Sequence, residues 1–176
     1  MQCNYPCYNA DSSAMIGLKD NYPETVPRFR PIWDLLRELV SAERFFICEQ
    51  VAAECEDRED ELTEFIGAHP QMVLRSVEYQ EHLAQFVLEP RGREMAERNR
   101  NRQKDPADPY VIVSALALDG RDPLQLAQKL NPAAQCLVLQ QEKWQGGPLK
   151  IPRICHEYGI ACVTWPELLQ SEDHDA

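Results

Sequence analysis

The spacing of apolar positions changes several times along the chain, and each change marks an element. Residues 5–10 predict a short strand that stops at Asp11, and residues 13–19 follow with helical spacing. Beyond the proline-rich turn 21–27, Ile32, Leu35, Leu36, Leu39 and Val40 recur at three and four residues, so 29–42 reads as an amphipathic helix. Aromatic and β-branched residues crowd into 44–48, a second buried strand. Residues 49–67 read as one very acidic helix, and 73–88 as another that carries Val77, Leu83, Phe86 and Val87. A strongly apolar helix over 109–118 is opened by Asp108 as N-cap, with Pro109 at the first helical position. Residues 136–139 and 159–164 predict the third and fourth strands, with a short helix at 152–158 between them and a last helical turn at 166–170.

Strands separated by helices predict an α/β fold, a mostly parallel sheet of about four strands covered on both faces. No repeat or break in composition divides the chain. Residues 1–170 are therefore expected to form one domain, with its long helical middle as an insertion and 171–176 as a polar tail. A chain of 176 residues can bury a core without disulfide staples. Seven cysteines, an odd number without compact spacing, fit reduced thiols better than a disulfide scaffold or a zinc site. The amino terminus lacks a cationic start followed by an apolar stretch, and no apolar run is long enough to cross a bilayer. A soluble cytoplasmic protein is the expectation.

Charge changes the picture. With 18 Lys and Arg against 29 Asp and Glu, the net charge is −11, whereas proteins that hold nucleic acid through their general field are basic. An RNA substrate would need a local patch, metal-bound phosphate, or a basic partner that covers acidic surface. The one basic stretch is 91–104; Arg98, Arg100 and Arg102 could grip phosphates there, or the stretch is a solvated helix with Glu94 and Arg98 paired at i, i+4.

Ligands of open parallel sheets bind beyond the carboxyl ends of the strands. Asp11 follows the first strand, Glu54 lies on the helix after the second, and Glu142 comes three residues after the third. Asp108 opens the helix that leads into that third strand, so four acids from four segments converge on one edge. Two carboxylates about 4 Å apart repel by roughly 4 kcal/mol at an effective dielectric near 20, so such a cluster needs a cation or protons. Hard oxygen ligands suit Mg²⁺ or Mn²⁺. The alternatives stay open: Asp11 and Asp108 as plain N-caps, Glu54 on a solvated acidic face, Glu142 as a loop acid. A phosphate-cradling glycine loop is absent from the sequence, and Asp11 is followed by Ser12 and Ser13 rather than an Asp-x-Asp pair. The four histidines are scattered, and Trp33, Trp144 and Trp165 read as packing residues.

Asp11 followed by Ser12, Ser13 and an apolar helix resembles the opening of PIN domains. Residues 107–117, a helix-opening Asp and then small and aliphatic residues, resemble their central motif. Residues 136–142 are similar to the strand before their last acid, and 150–164 to the ending of a poorly characterised PIN subfamily. The resemblance runs from about residue 5 to 169. It implies a ribonuclease fold, often the toxin of a bacterial toxin–antitoxin pair, with Asp11, Glu54, Asp108 and Glu142 binding Mg²⁺ or Mn²⁺ and Ser13 supporting the first acid. It also implies an RNA substrate, a cognate antitoxin and a homodimer. Two departures stand out. Gln140 and Gln141 precede Glu142 where the family has Thr-x before Asp, and Asp105 is a spare acid beside Asp108. A PIN-fold protein that has lost catalysis and binds a partner is the other expectation.

Overall fold

The computed structural model describes residues 6–56, 60–99, 107–120, 135–141 and 150–173. Five strands, β1 (Cys7–Ala10), β2 (Phe45–Cys48), β3 (Val73–Leu74), β4 (Cys136–Leu139) and β5 (Cys162–Val163), form one sheet in the order β3-β2-β1-β4-β5. Every pairing is parallel. β1 and β2 are buried at every position, as a parallel sheet covered on both faces requires. The fold class is thus α/β with helices on a parallel sheet.

The helices are α1 (Ser12–Asn21), α2 (Arg30–Ser41), α3 (Glu49–Glu56), α4 (Glu61–Ala68), α5 (Gln80–Phe86), α6 (Pro90–Asn99), α7 (Asp108–Leu118), α8 (Ile151–Glu157) and α9 (Trp165–Asp173). α7 and α8 pack together on one face, and α1, α3 and α4 pack together on the other. α9 joins the second group: Trp165 stacks on Phe45 and donates its indole N–H to the Ala14 carbonyl, while Trp33 is buried under α2.

The four expected strands are present, and β3 is an addition. Residues 73–74 pair with the end of β2, so the helix expected over 73–88 forms only from Gln80. A two-residue strand has no period to show. The acidic helix expected over 49–67 is two helices, because Asp60 takes an extended conformation and caps α4 by accepting from the Leu62 and Thr63 N–H groups. The last helical turn runs on to Asp173, three residues into the expected tail. Glu172 drives that extension. Its carboxylate takes both Nη groups of Arg44 at 2.6 and 2.9 Å and the Tyr8 hydroxyl at 2.6 Å. No helix among the described residues is long and apolar enough to cross a membrane.

Candidate functional site

The chain builds β1, β2 and β3 outward in one direction and then returns to lay β4 and β5 on the other side of β1. The connections into β2 and β3 lie on one face and those into β4 and β5 on the other. Between β1 and β4 the strand order reverses, and sheets of this kind bind ligands in the crevice outside the carboxyl ends of the strands at that point. Asp11 stands at its lip. The carboxylate is 3% exposed, accepts the Ala14 N–H at 2.7 Å as the N-cap of α1, and shares the Ser13 hydroxyl between its two oxygens at 2.9 Å. The positive end of α1 offsets the cost of burying that charge. Across the crevice, Ser13 Oγ accepts the Gln141 N–H at 3.1 Å, and the Asp11 N–H donates to the Leu139 carbonyl.

The direction of α7 follows from its anchors. Asn9 on β1 donates its amide to Val111 O at 2.8 Å and Ser114 Oγ at 2.9 Å, while Asp119 beyond the helix accepts the Cys136 N–H at the start of β4. The helix therefore runs against the strands, and Asp108 lies at the carboxyl edge. Glu54 meets it there: one oxygen of this half-buried carboxylate accepts the Ala107 N–H at 3.0 Å. Ala107, not Asp108, is the N-cap, so Asp108 belongs to the first turn. The Ala107 side chain cannot cap, and Glu54 reaches from α3 to accept the N–H of the cap residue itself, one of the open donors of the helix start.

Asp11, Glu54 and Asp108 thus reach the same edge, and Glu54 and Asp108 share one helix start. Among the described residues, no group of three or more His, Cys, Asp or Glu side chains is placed to hold a metal ion. Glu142, Asp105, Arg100 and Arg102 lie outside the described residues, as does the side chain of Arg98. On the same basic stretch, Arg91 is committed to Glu157 of α8 and Glu94, so it ties helices together rather than facing solvent alone.

Other polar residues at this edge escaped the sequence reading. Gln50 accepts the Tyr79 hydroxyl at 2.7 Å and donates to Ser76, whose hydroxyl reaches Glu49. This chain of bonds joins the exits of β2 and β3, and burial pushes the Tyr79 phenol up. Burial also pushes the Cys48 thiol up to about 12, with the Glu54 carboxylate adding to the effect, so Cys48 is no nucleophile. Asn9 and Gln140 are buried polar residues at the crevice, and the amide oxygen of each accepts no hydrogen bond among the described residues. Each such oxygen costs about 1–3 kcal/mol. Asn9 had one visible signal, a polar residue in the middle of an apolar strand.

No curated protein and no solved structure matches the chain. A family model does, over residues 8–176, and the chain belongs to that family, described as Domain of unknown function (DUF4411).

Proposed function

We propose that this is a PIN-fold, metal-dependent endoribonuclease of the cytoplasm, acting as the toxin of a toxin–antitoxin pair. The observation that supports it best is that Asp11, Glu54 and Asp108, from three separate segments, all lie along the carboxyl edge beside the switch point, with Glu54 and Asp108 at one helix start. The donors are all hard oxygens, and two further amide oxygens are buried there without donors, which fits Mg²⁺ or Mn²⁺. Asp11, Glu54 and Asp108 would hold the ion, with Glu142 as a fourth ligand. When bound, the ion lowers the pKa of a ligated water and offsets charge that develops on the phosphate. Ser13 orients Asp11, Glu54 fixes the start of α7, and Arg98, Arg100 and Arg102 hold backbone phosphates that the net charge of −11 repels. A cognate antitoxin and a second copy of the chain are the partners of this reading.

Calorimetry with Mn²⁺ tests it, comparing the wild type with Asp11→Asn/Asp108→Asn. Asparagine keeps the cap of α1 and removes the charge. One binding locus, lost in the double variant, together with Mn²⁺-dependent RNA cleavage, is the expected result. Absence of binding at millimolar Mn²⁺ would sink the nuclease. One observation favours the second reading, a partner-binding protein without catalysis: both Asp11 oxygens are already engaged by Ser13 and Ala14. Growth arrest on expression, relieved by Asp11→Asn, separates the two.

A further inference from the structure

The two oxygens without donors are neighbours in the fold. Asn9 sits in β1, and Gln140 is the first residue past β4, the strand beside it. The register pairs Asn9 with Val138 and Ala10 with Leu139, which sets Gln140 level with Asp11. Side chains alternate along a strand, so Asn9 and Gln140 share the face that α7 covers. The Asn9 amide is fixed by what surrounds it. The Asn9 amide nitrogen is committed to Val111 O and Ser114 Oγ, and turning the amide over would set its oxygen against the Val111 carbonyl. The backbone at Gln140 is held from both sides: its N–H donates to Val163 O of β5, and the next residue, Gln141, donates its N–H to Ser13 and lays its side chain across Gly17 of α1. Gln140 itself is 6% exposed.

An apolar residue at position 140 would avoid the penalty of a buried carbonyl without a donor. A glutamate there would add another charge to an edge that already carries Asp11, Glu54 and Asp108, with the repulsion that entails. Glutamine is the choice that offers a hard oxygen at the switch point and no charge. We infer that the Gln140 amide oxygen is a neutral ligand of the divalent cation at this edge. The inference rests on the metal site proposed above and adds to it a ligand that is not an acid.

The test uses the full chain, Mn²⁺ alone as the probe, and the variants Gln140→Leu and Gln140→Glu. Leucine has similar bulk and no carbonyl, so the metal-free Gln140→Leu protein should melt above the wild type while its Mn²⁺ affinity falls about tenfold or more. Gln140→Glu restores an oxygen and should bind at least as tightly as the wild type. If Gln140→Leu does not fold, Gln140→Ser, whose oxygen is too short to reach, should show the same loss of affinity. Wild-type affinity in these variants overturns the inference and leaves the acidic site standing, as does a lower melting temperature with unchanged affinity, which would assign the oxygen to a structural water. Failure of the wild type itself to bind Mn²⁺ overturns the inference and the proposed site together.

Discussion

Glu43 is the one residue other than glycine, among those described, with a positive φ, at 57°. It follows α2, where the Arg44 N–H reaches back to the Leu39 carbonyl and its own N–H to Val40, a Schellman ending in which glycine usually takes this position. A side chain in that conformation costs about 1–2 kcal/mol, part of which glycine would return through its looser unfolded state. Glu43→Gly should therefore stabilise the protein by about 0.5–1 kcal/mol, seen as a higher urea midpoint at constant slope. The sign reverses elsewhere. Gly92 is buried in α6, and a Cβ there would collide with the Phe86 backbone carbonyl, which cannot swing aside. Alanine normally gains about 1 kcal/mol over glycine within a helix. Here the overlap, at about 1–3 kcal/mol, should outweigh that gain, so Gly92→Ala should lower the urea midpoint.

Elements are joined by a few polar ties whose pH dependence can be worked out. Asp60 caps α4 and reaches Lys19 of α1 at 2.8 Å. Burial pushes the Asp60 carboxyl up, but the Lys19 ammonium and the cap N–H groups outweigh it and hold it below its usual range. A depressed carboxylate contributes stability that is complete above the unfolded value, near 3.9, and is lost as pH falls through the folded one. The bond to Asp60 raises Lys19, so at the alkaline end the tie fails only above about pH 10. Asp60→Asn keeps the cap and removes the pair; it should cost less than about 1 kcal/mol at pH 7, and the difference should vanish in acid melts. The same elements show what a sequence can reveal. Strands β1, β2 and β4 are dense apolar runs, and Asp11, Glu54 and Asp108 are acids just beyond such runs or at a helix start, so all were legible. Strand β3 was not, being two residues long, and neither was the Glu54 cap on α7. That cap depends on Ala107 standing opposite α3, a contact between segments far apart in the chain. Gln140 looked like a departure from a motif. Only its burial and its oxygen without a donor made it a candidate ligand.

At the scale of the molecule the two edges of the sheet do different work. The carboxyl edge gathers acids, whereas the amino edge is clamped. Arg44 binds Glu172 through both Nη groups and the Pro6 carbonyl through Nε, and Tyr8 donates to the same carboxylate. The side chains of Glu172 and Arg44 are 7% and 21% exposed, so removing the carboxylate charge leaves a half-buried guanidinium without its counter-charge. Burial, and then the bond to Glu172, push the Tyr8 phenol up to about 12. A raised phenol contributes stability below its unfolded value, near 10, that is lost as pH climbs through the folded one. Glu172→Gln should therefore lower the urea midpoint, move the ultraviolet titration of Tyr8 back toward 10, and leave Mn²⁺ affinity unchanged at the opposite edge.

The position of β1 has a consequence for synthesis on the ribosome. Among the described strands the central one, β1, is made first, and its partner across the crevice, β4, follows only after β2, β3 and α1 to α7. Until Cys136 to Leu139 arrive, the nascent chain carries Asp11 but no opposite wall, and one side of β1 is an open edge, the kind of surface that pairs with other chains. A chain stalled or cleaved before residue 136 holds three of the acids without the strand that faces Asp11, so the edge is complete only once β4 has been made.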